Sequence, residues 1–145
     1  MHRPLAGDGA ILALARATSG CTQARIDFGV MLRSSTSDDA SYGMAAVTGA
    51  AGGATLMSRA SGGWFSNVLR FDSAPPLPLW LKVERNGNRL RIGYSRDGRS
   101  WTEAERDLFD APLVLEAGLV AASHGGTCTV LFERVALLGA SAQAP

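Results

Sequence analysis

Concentrated charge is missing from this chain, as are long apolar runs and any cysteine motif. Its 145 residues hold 14 Lys and Arg against 13 Asp and Glu, a formal net charge of +1. A near-neutral balance offers no argument for a nucleic-acid partner, whose binding needs a concentrated basic face. No apolar stretch approaches the roughly 20 residues of a membrane span, so no membrane partner is read. The opening MHRPLAGDGA lacks the apolar core of a signal peptide. Cys21 and Cys128 are the only cysteines, with no CxxC, and two cysteines alone do not make a zinc site. Each cysteine fits a small buried apolar residue first, and half of a bridge as the alternative. No motif for a metal or a cofactor is present. Helical periodicity is almost absent as well.

Alternation takes its place, with 17 glycines punctuating short runs. AILALARA (10–17) reads as a first strand ended by Gly20. IDFGVMLR (26–33) alternates cleanly: Ile26, Phe28, Val30 and Leu32 face one way, and Asp27, Gly29, Met31 and Arg33 the other. YGMAAVT (42–48), TLMSRAS (55–61) and WFSNVLRF (64–71) are further strands, the last followed by a proline-rich linker that forbids a regular ladder. LWLKVERNGNRLRIGYS is two alternating runs around Asn86-Gly87, a pair that tolerates the positive φ of a tight hairpin turn. It places Leu79, Leu81, Val83, Leu90, Ile92 and Tyr94 on a core face. Trp80, Lys82, Glu84, Arg89 and Arg91 fall on the opposite one. Asp97-Gly98 turns the chain again toward a short strand at Trp101. Two long closing strands follow at 113–123 and 127–138. Nine or ten short strands with turns every 8–12 residues predict an all-β fold, a two-sheet antiparallel β-sandwich or jelly roll. A single domain spans 1–138, and 139–145 form a frayed tail.

The ordered segments FGVMLRSS, PLWLKVERNGNRLRIGYSRDGRSW and GLVAASHGGTCTVLFERVAL resemble one bacterial family. It is the concanavalin A-like lectin/glucanase domain of the "regulation of enolase" type. The resemblance rests on Gly29, Met31 and Arg33, on Trp80 through Arg85 with Gly87, and on Tyr94 through Trp101. Gly118, Leu119, Ser123 and His124, then Phe132 and Val135, complete it, so that it runs over roughly residues 7–138. It implies a two-sheet sandwich that serves as an accessory module of larger secreted proteins, beside carbohydrate-related or catalytic domains. Such domains begin some 30 residues earlier, so the resemblance also implies a truncated N-terminus; the location is left open, extracellular being an option only if the chain is so truncated. It further implies that the first and last strands pair antiparallel, which would bring Cys21 and Cys128 together. A bridge closing so long a loop would stabilise by about 4–5 kcal/mol.

Candidate sites divide by the chemistry each could perform. Ser95 and Asp97 in YSRDGRSW could coordinate calcium, but that ion takes six to eight oxygens and the turn supplies too few. The mechanical reading is preferred: Asp97 accepts backbone N–H groups, Gly98 takes positive φ and Trp101 packs below. His124 follows a strand without a nucleophile motif nearby and reads as a loop histidine. Glu103, Glu105 and Asp107 alternate like paired glycosidase carboxylates, yet sit in a short polar segment heading into a loop. A non-catalytic module is therefore expected rather than a hydrolase. Arg33, Arg59, Trp80, Lys82 and Arg91 are the ligand-binding candidates, read as one non-core face on which an aromatic ring stacks against a sugar and charged groups bond its hydroxyls. Carbohydrate binding, with an oligo- or polysaccharide as partner, is the leading expectation. The alternative is a structural or protein-interaction domain, its long charged side chains merely solvating an outer face.

Overall fold

A computed structural model describes residues 1–19, 26–48, 53–59, 67–71, 77–108, 111–123, 125–127 and 129–139. Among these residues eleven strands occur: β1 (His2–Ala6), β2 (Gly9–Ser19), β3 (Ile26–Arg33), β4 (Tyr42–Thr48), β5 (Gly53–Arg59), β6 (Asn67–Phe71), β7 (Leu79–Asn86), β8 (Arg89–Ser95), β9 (Thr102–Asp107), β10 (Val114–Ser123) and β11 (Thr129–Gly139). They form a six-stranded sheet, β1-β10-β3-β4-β5-β6, and a five-stranded sheet, β11-β2-β7-β8-β9. Every pairing is antiparallel. The chain is thus the two-sheet β-sandwich that the alternation predicts.

Period-two patterning builds the core. Phe28, Val30 and Leu32 point inward from β3 and are fully buried, opposite Val47, Ala45 and Gly43 of β4. The second sheet answers with Leu79, Leu81 and Val83 of β7 and Leu90 and Ile92 of β8. Each such side chain contributes about 1.5–3 kcal/mol through the apolar surface it removes from water. Phe28 also meets Phe132 of β11 edge-on, ring centroids 6.2 Å apart, a preferred aromatic geometry. Gly43 lets the sheets approach closely: a Cβ there would stand 2.6 Å from the Leu90 Cδ1 methyl.

Two segments form strands that the alternation does not assign. HRPLA shows no alternation and contains a proline, yet β1 forms by pairing with β10 at the sheet edge, where a missing donor is tolerated. TEAERD, expected as a short polar segment heading into a loop, is the edge strand β9. Its alternating charges suit an exposed edge, because they discourage pairing with another chain. At the opposite edge of the same sheet, β11 is bulged between Glu133 and Ala136, and Arg134 there takes a φ of 52°. Such a bulge breaks the row of free backbone groups that an open edge would present. β2 and β11 do pair antiparallel, Thr129 opposite Ser19. Cys21 and Cys128 lie outside the described residues, as do His124 and residues 140–145, while Gly139, expected to start the frayed tail, ends β11.

Candidate functional site

The five ligand-binding candidates do not share a face. Trp80, Lys82 and Arg91 stand on the outer surface of the five-stranded sheet, whereas Arg33 and Arg59 stand on the outer surface of the six-stranded sheet, across the core. Alternation assigns a side chain to the non-core side of its own sheet. A sandwich has two such sides, and long-range pairing decides which one a residue joins.

On the five-stranded sheet the cations are matched to carboxylates. The register sets Arg91 between Glu84 and Glu105, and Gly93 between Lys82 and Glu103. Lys82 Nζ lies 3.4 Å from Glu103, and Arg91 reaches Glu84 at 3.5 Å and Glu105 at 3.4 Å. Arg89 lies 2.9 Å from Glu105 and 3.3 Å from Asp107. The three acids of TEAERD therefore balance basic neighbours on an exposed edge strand. Lys82 also sits over the Trp101 ring, 4.3 Å from its centroid. The other indole, Trp80, lies against Gly98, where a Cβ would come within 3.2 Å of it. Trp80 is thus an aromatic partner of the SRDG turn that the sequence reading did not assign to it.

That turn is closed by its own groups. Asp97 Oδ1 accepts the backbone N–H groups of Arg99 at 2.8 Å and Ser100 at 2.9 Å, and the Ser95 hydroxyl at 3.0 Å. These donors, Ser100 first, hold the carboxyl near a pKa of about 2. Gly98 has a φ of 75°, which an L side chain rarely adopts. Among the described residues no group of three or more His, Cys, Asp and Glu side chains converges as a metal site.

The outer surface of the six-stranded sheet is arranged in rows. One row runs Glu116, Arg33, Tyr42, Arg59 over four neighbouring strands. The row beside it runs His2, Gly118, Met31, Met44, Met57 over five. A polar line thus flanks an apolar one, floored by three methionines. Neither arginine forms an ion pair among the described residues. Arg59 donates to the carbonyls of Ala40 at 2.9 Å and Asp38 at 2.7 Å, and its guanidinium stacks 5.0 Å from the Tyr42 centroid. Arg33 donates through Nη2 to the Ser37 carbonyl, and its Nε is buried without a hydrogen-bond partner. Both arginines therefore hold the 34–41 loop over one end of the sheet. Within that loop Asp39 accepts the Ser37 hydroxyl at 2.7 Å, which lowers its pKa. A shallow pocket opens beside Arg33, with Met31, Thr36, Glu116, Val120 and His2 in its lining. Glu116 accepts a hydrogen bond from His2 Nδ1 at 2.8 Å.

Sequence reasoning overlooked Glu116 and His2. The one signal for Glu116 is a single charge inside the apolar run VLEAGLV, at an outward position of its strand. His2 carries no pattern of its own and gains a role only because β1 pairs beside β10.

No family model matches the sequence, and no curated protein does. Solved structures do resemble the fold. A functionally unknown protein from Saccharomyces cerevisiae superposes with a TM-score of 0.74 at 20% identity, over 94% of this chain and 72% of that one. The K247S mutant of the GH43 protein BlXynB from Bacillus licheniformis gives 0.69 at 15% identity, over 91% of this chain. This chain spans 27% of that protein's length. A tetrameric galectin from the sponge Cinachyrella sp. gives 0.55 at 12% identity, over 95% of this chain and 99% of the galectin. At these identities the likeness is one of fold, and the fold they share with this chain is the concanavalin A-like jelly-roll sandwich.

Proposed function

We propose that this chain is a non-catalytic carbohydrate-binding module whose ligand lies on the outer surface of the six-stranded sheet, at the end held by Arg33 and Arg59. The observation that carries this reading is the pairing of two rows, Glu116-Arg33-Tyr42-Arg59 beside His2-Gly118-Met31-Met44-Met57. A sugar ring has apolar C–H faces and a polar rim, so it needs an apolar floor and hydrogen-bonding groups side by side. Likeness of fold to a galectin and to a GH43 protein supports the same reading. The order of the sequence motifs supports placing the chain in the "regulation of enolase" type within that fold. Catalysis is not part of the proposal, because the alternating acids of β9 are engaged in ion pairs.

Affinity electrophoresis through gels containing soluble polysaccharides tests it. Retardation in at least one gel is expected, and Arg33→Leu should abolish it while Trp80→Ala leaves it intact. Free migration in every gel would leave a structural or protein-interaction domain. Loss in Trp80→Ala alone would move the site to the other sheet.

A further inference from the structure

Arg33 and Glu116 are direct partners in register on β3 and β10. Such partners carry their Cβ atoms about 5 Å apart. Opposite charges so placed would ordinarily meet, yet these two form no ion pair. Each is held by another group: the Arg33 Nη2 by the Ser37 carbonyl, and Glu116 Oε2 by His2 Nδ1. Glu116 Oε1 keeps its lone pairs free of any donor among the described residues. Both side chains line the pocket, together with Thr36, Met31 and Val120. It therefore offers an acceptor and a donor in one lining, beside apolar side chains.

Resting on the glycan reading above, we infer that this pocket takes two adjacent hydroxyls of a neutral sugar. Each hydroxyl is both donor and acceptor. One can donate its proton to Glu116 while its oxygen accepts from Arg33, and its neighbour on the ring can do the same. Charge-assisted bonds of this kind are the stronger class. A uronic acid fits less well, because a carboxylate entering the pocket meets the like charge of Glu116 as well as Arg33, and that repulsion is absent for a neutral sugar. Glu116 thus selects neutral sugars over acidic ones, a role that neither its strand nor its sequence motif reveals.

The test compares gels of neutral polysaccharides (xylan, galactan, β-glucan) with polygalacturonate, using the full chain. Wild type should be retarded by at least one neutral polymer and pass freely through polygalacturonate. Glu116→Gln should weaken the neutral interaction about tenfold or more. His2→Ala, which removes the side-chain bond to Glu116 but leaves the acceptor in place, should weaken it far less. Equal retardation by polygalacturonate would overturn the inference. So would retention unchanged in Glu116→Gln but lost in Arg33→Leu, an outcome that leaves the glycan reading standing. Equal losses in His2→Ala and Glu116→Gln would show that Glu116 merely anchors β1. Failure of wild type in every gel would overturn the glycan reading itself, and this inference with it.

Discussion

The two outer surfaces of the sandwich use the same residue types in opposite ways. On the five-stranded sheet, Lys82, Arg89 and Arg91 spend their charge on the carboxylates of neighbouring strands. On the six-stranded sheet, Arg33 and Arg59 spend theirs on the backbone of one loop, and the acid opposite Arg33 is held by a histidine. A surface whose charges are matched within itself is satisfied in water and has little to offer a ligand. A surface whose donors order a loop, and whose acceptor stays open, has directed groups to offer. The difference teaches that counting charged side chains on a face is less informative than asking what each one already binds.

The most disruptive way to break the contrast is to disturb the frame under the second surface. Gly29 lies in the middle of β3, and a Cβ there would collide with the Ala45 carbonyl and the Ala46 backbone. Backbone cannot swing aside as a side-chain tip can. Gly29→Ala should therefore cost about 3 kcal/mol in urea unfolding, the upper end of an overpacking penalty. A loss below about 1 kcal/mol would show that the strands separate more easily than this geometry implies. Next in size is Arg59→Gln, which removes two charge-assisted bonds to carbonyls and the stacking on Tyr42. About 2 kcal/mol should be lost, together with amide-exchange protection in residues 34–41. Unchanged protection there would mean that the loop does not depend on Arg59.

Much of this arrangement is legible in the sequence, and the illegible part has a physical cause. Alternation in IDFGVMLR and around Asn86-Gly87 assigns inward and outward positions correctly, because period two is a property of each strand alone. Arg33, Arg59, Trp80, Lys82 and Arg91 are all outward, as that pattern requires. Which sheet each strand joins depends on pairing between distant segments, β2 with β7 and β10 with β3 among them. No local pattern records that choice, so two surfaces were merged into one. Glu116 and His2 escaped for the same reason: their meeting is a consequence of β1 adding beside β10. The hydrogen bonds and positive φ of the SRDG turn were legible and its contact with Trp80 was not, since a turn is built from neighbours in sequence.

The turn supplies a smaller test that separates local order from either surface. The folded Asp97 pKa, about 2, lies below its ordinary value of 3.8. A depressed carboxylate contributes stability above the unfolded pKa, and that contribution is lost as pH falls through the folded one. Stability should therefore decline between about pH 4 and pH 2, and Asp97→Asn should flatten that part of the decline. Identical acid profiles for the two proteins would show that Asp97 does not hold the turn.

The smallest expected effect bears most directly on the contrast. Arg91 touches Glu84, Glu103 and Glu105, more carboxylates than any other cation described on the molecule. Yet it is roughly half exposed, at 46%, so water and salt screen each contact and holding a long side chain in place costs entropy. Arg91→Gln should cost only about 0.5 kcal/mol at low salt, and less at 1 M NaCl. Arg59, with no carboxylate pair, should outweigh it several-fold and lose little of its effect in salt, because its bonds run to backbone carbonyls, one of them that of the buried Ala40. If Arg91→Gln instead matched Arg59→Gln and kept its cost at 1 M NaCl, the charged network would be structural in its own right. The distinction between a self-satisfied surface and one that orders a loop would then fail.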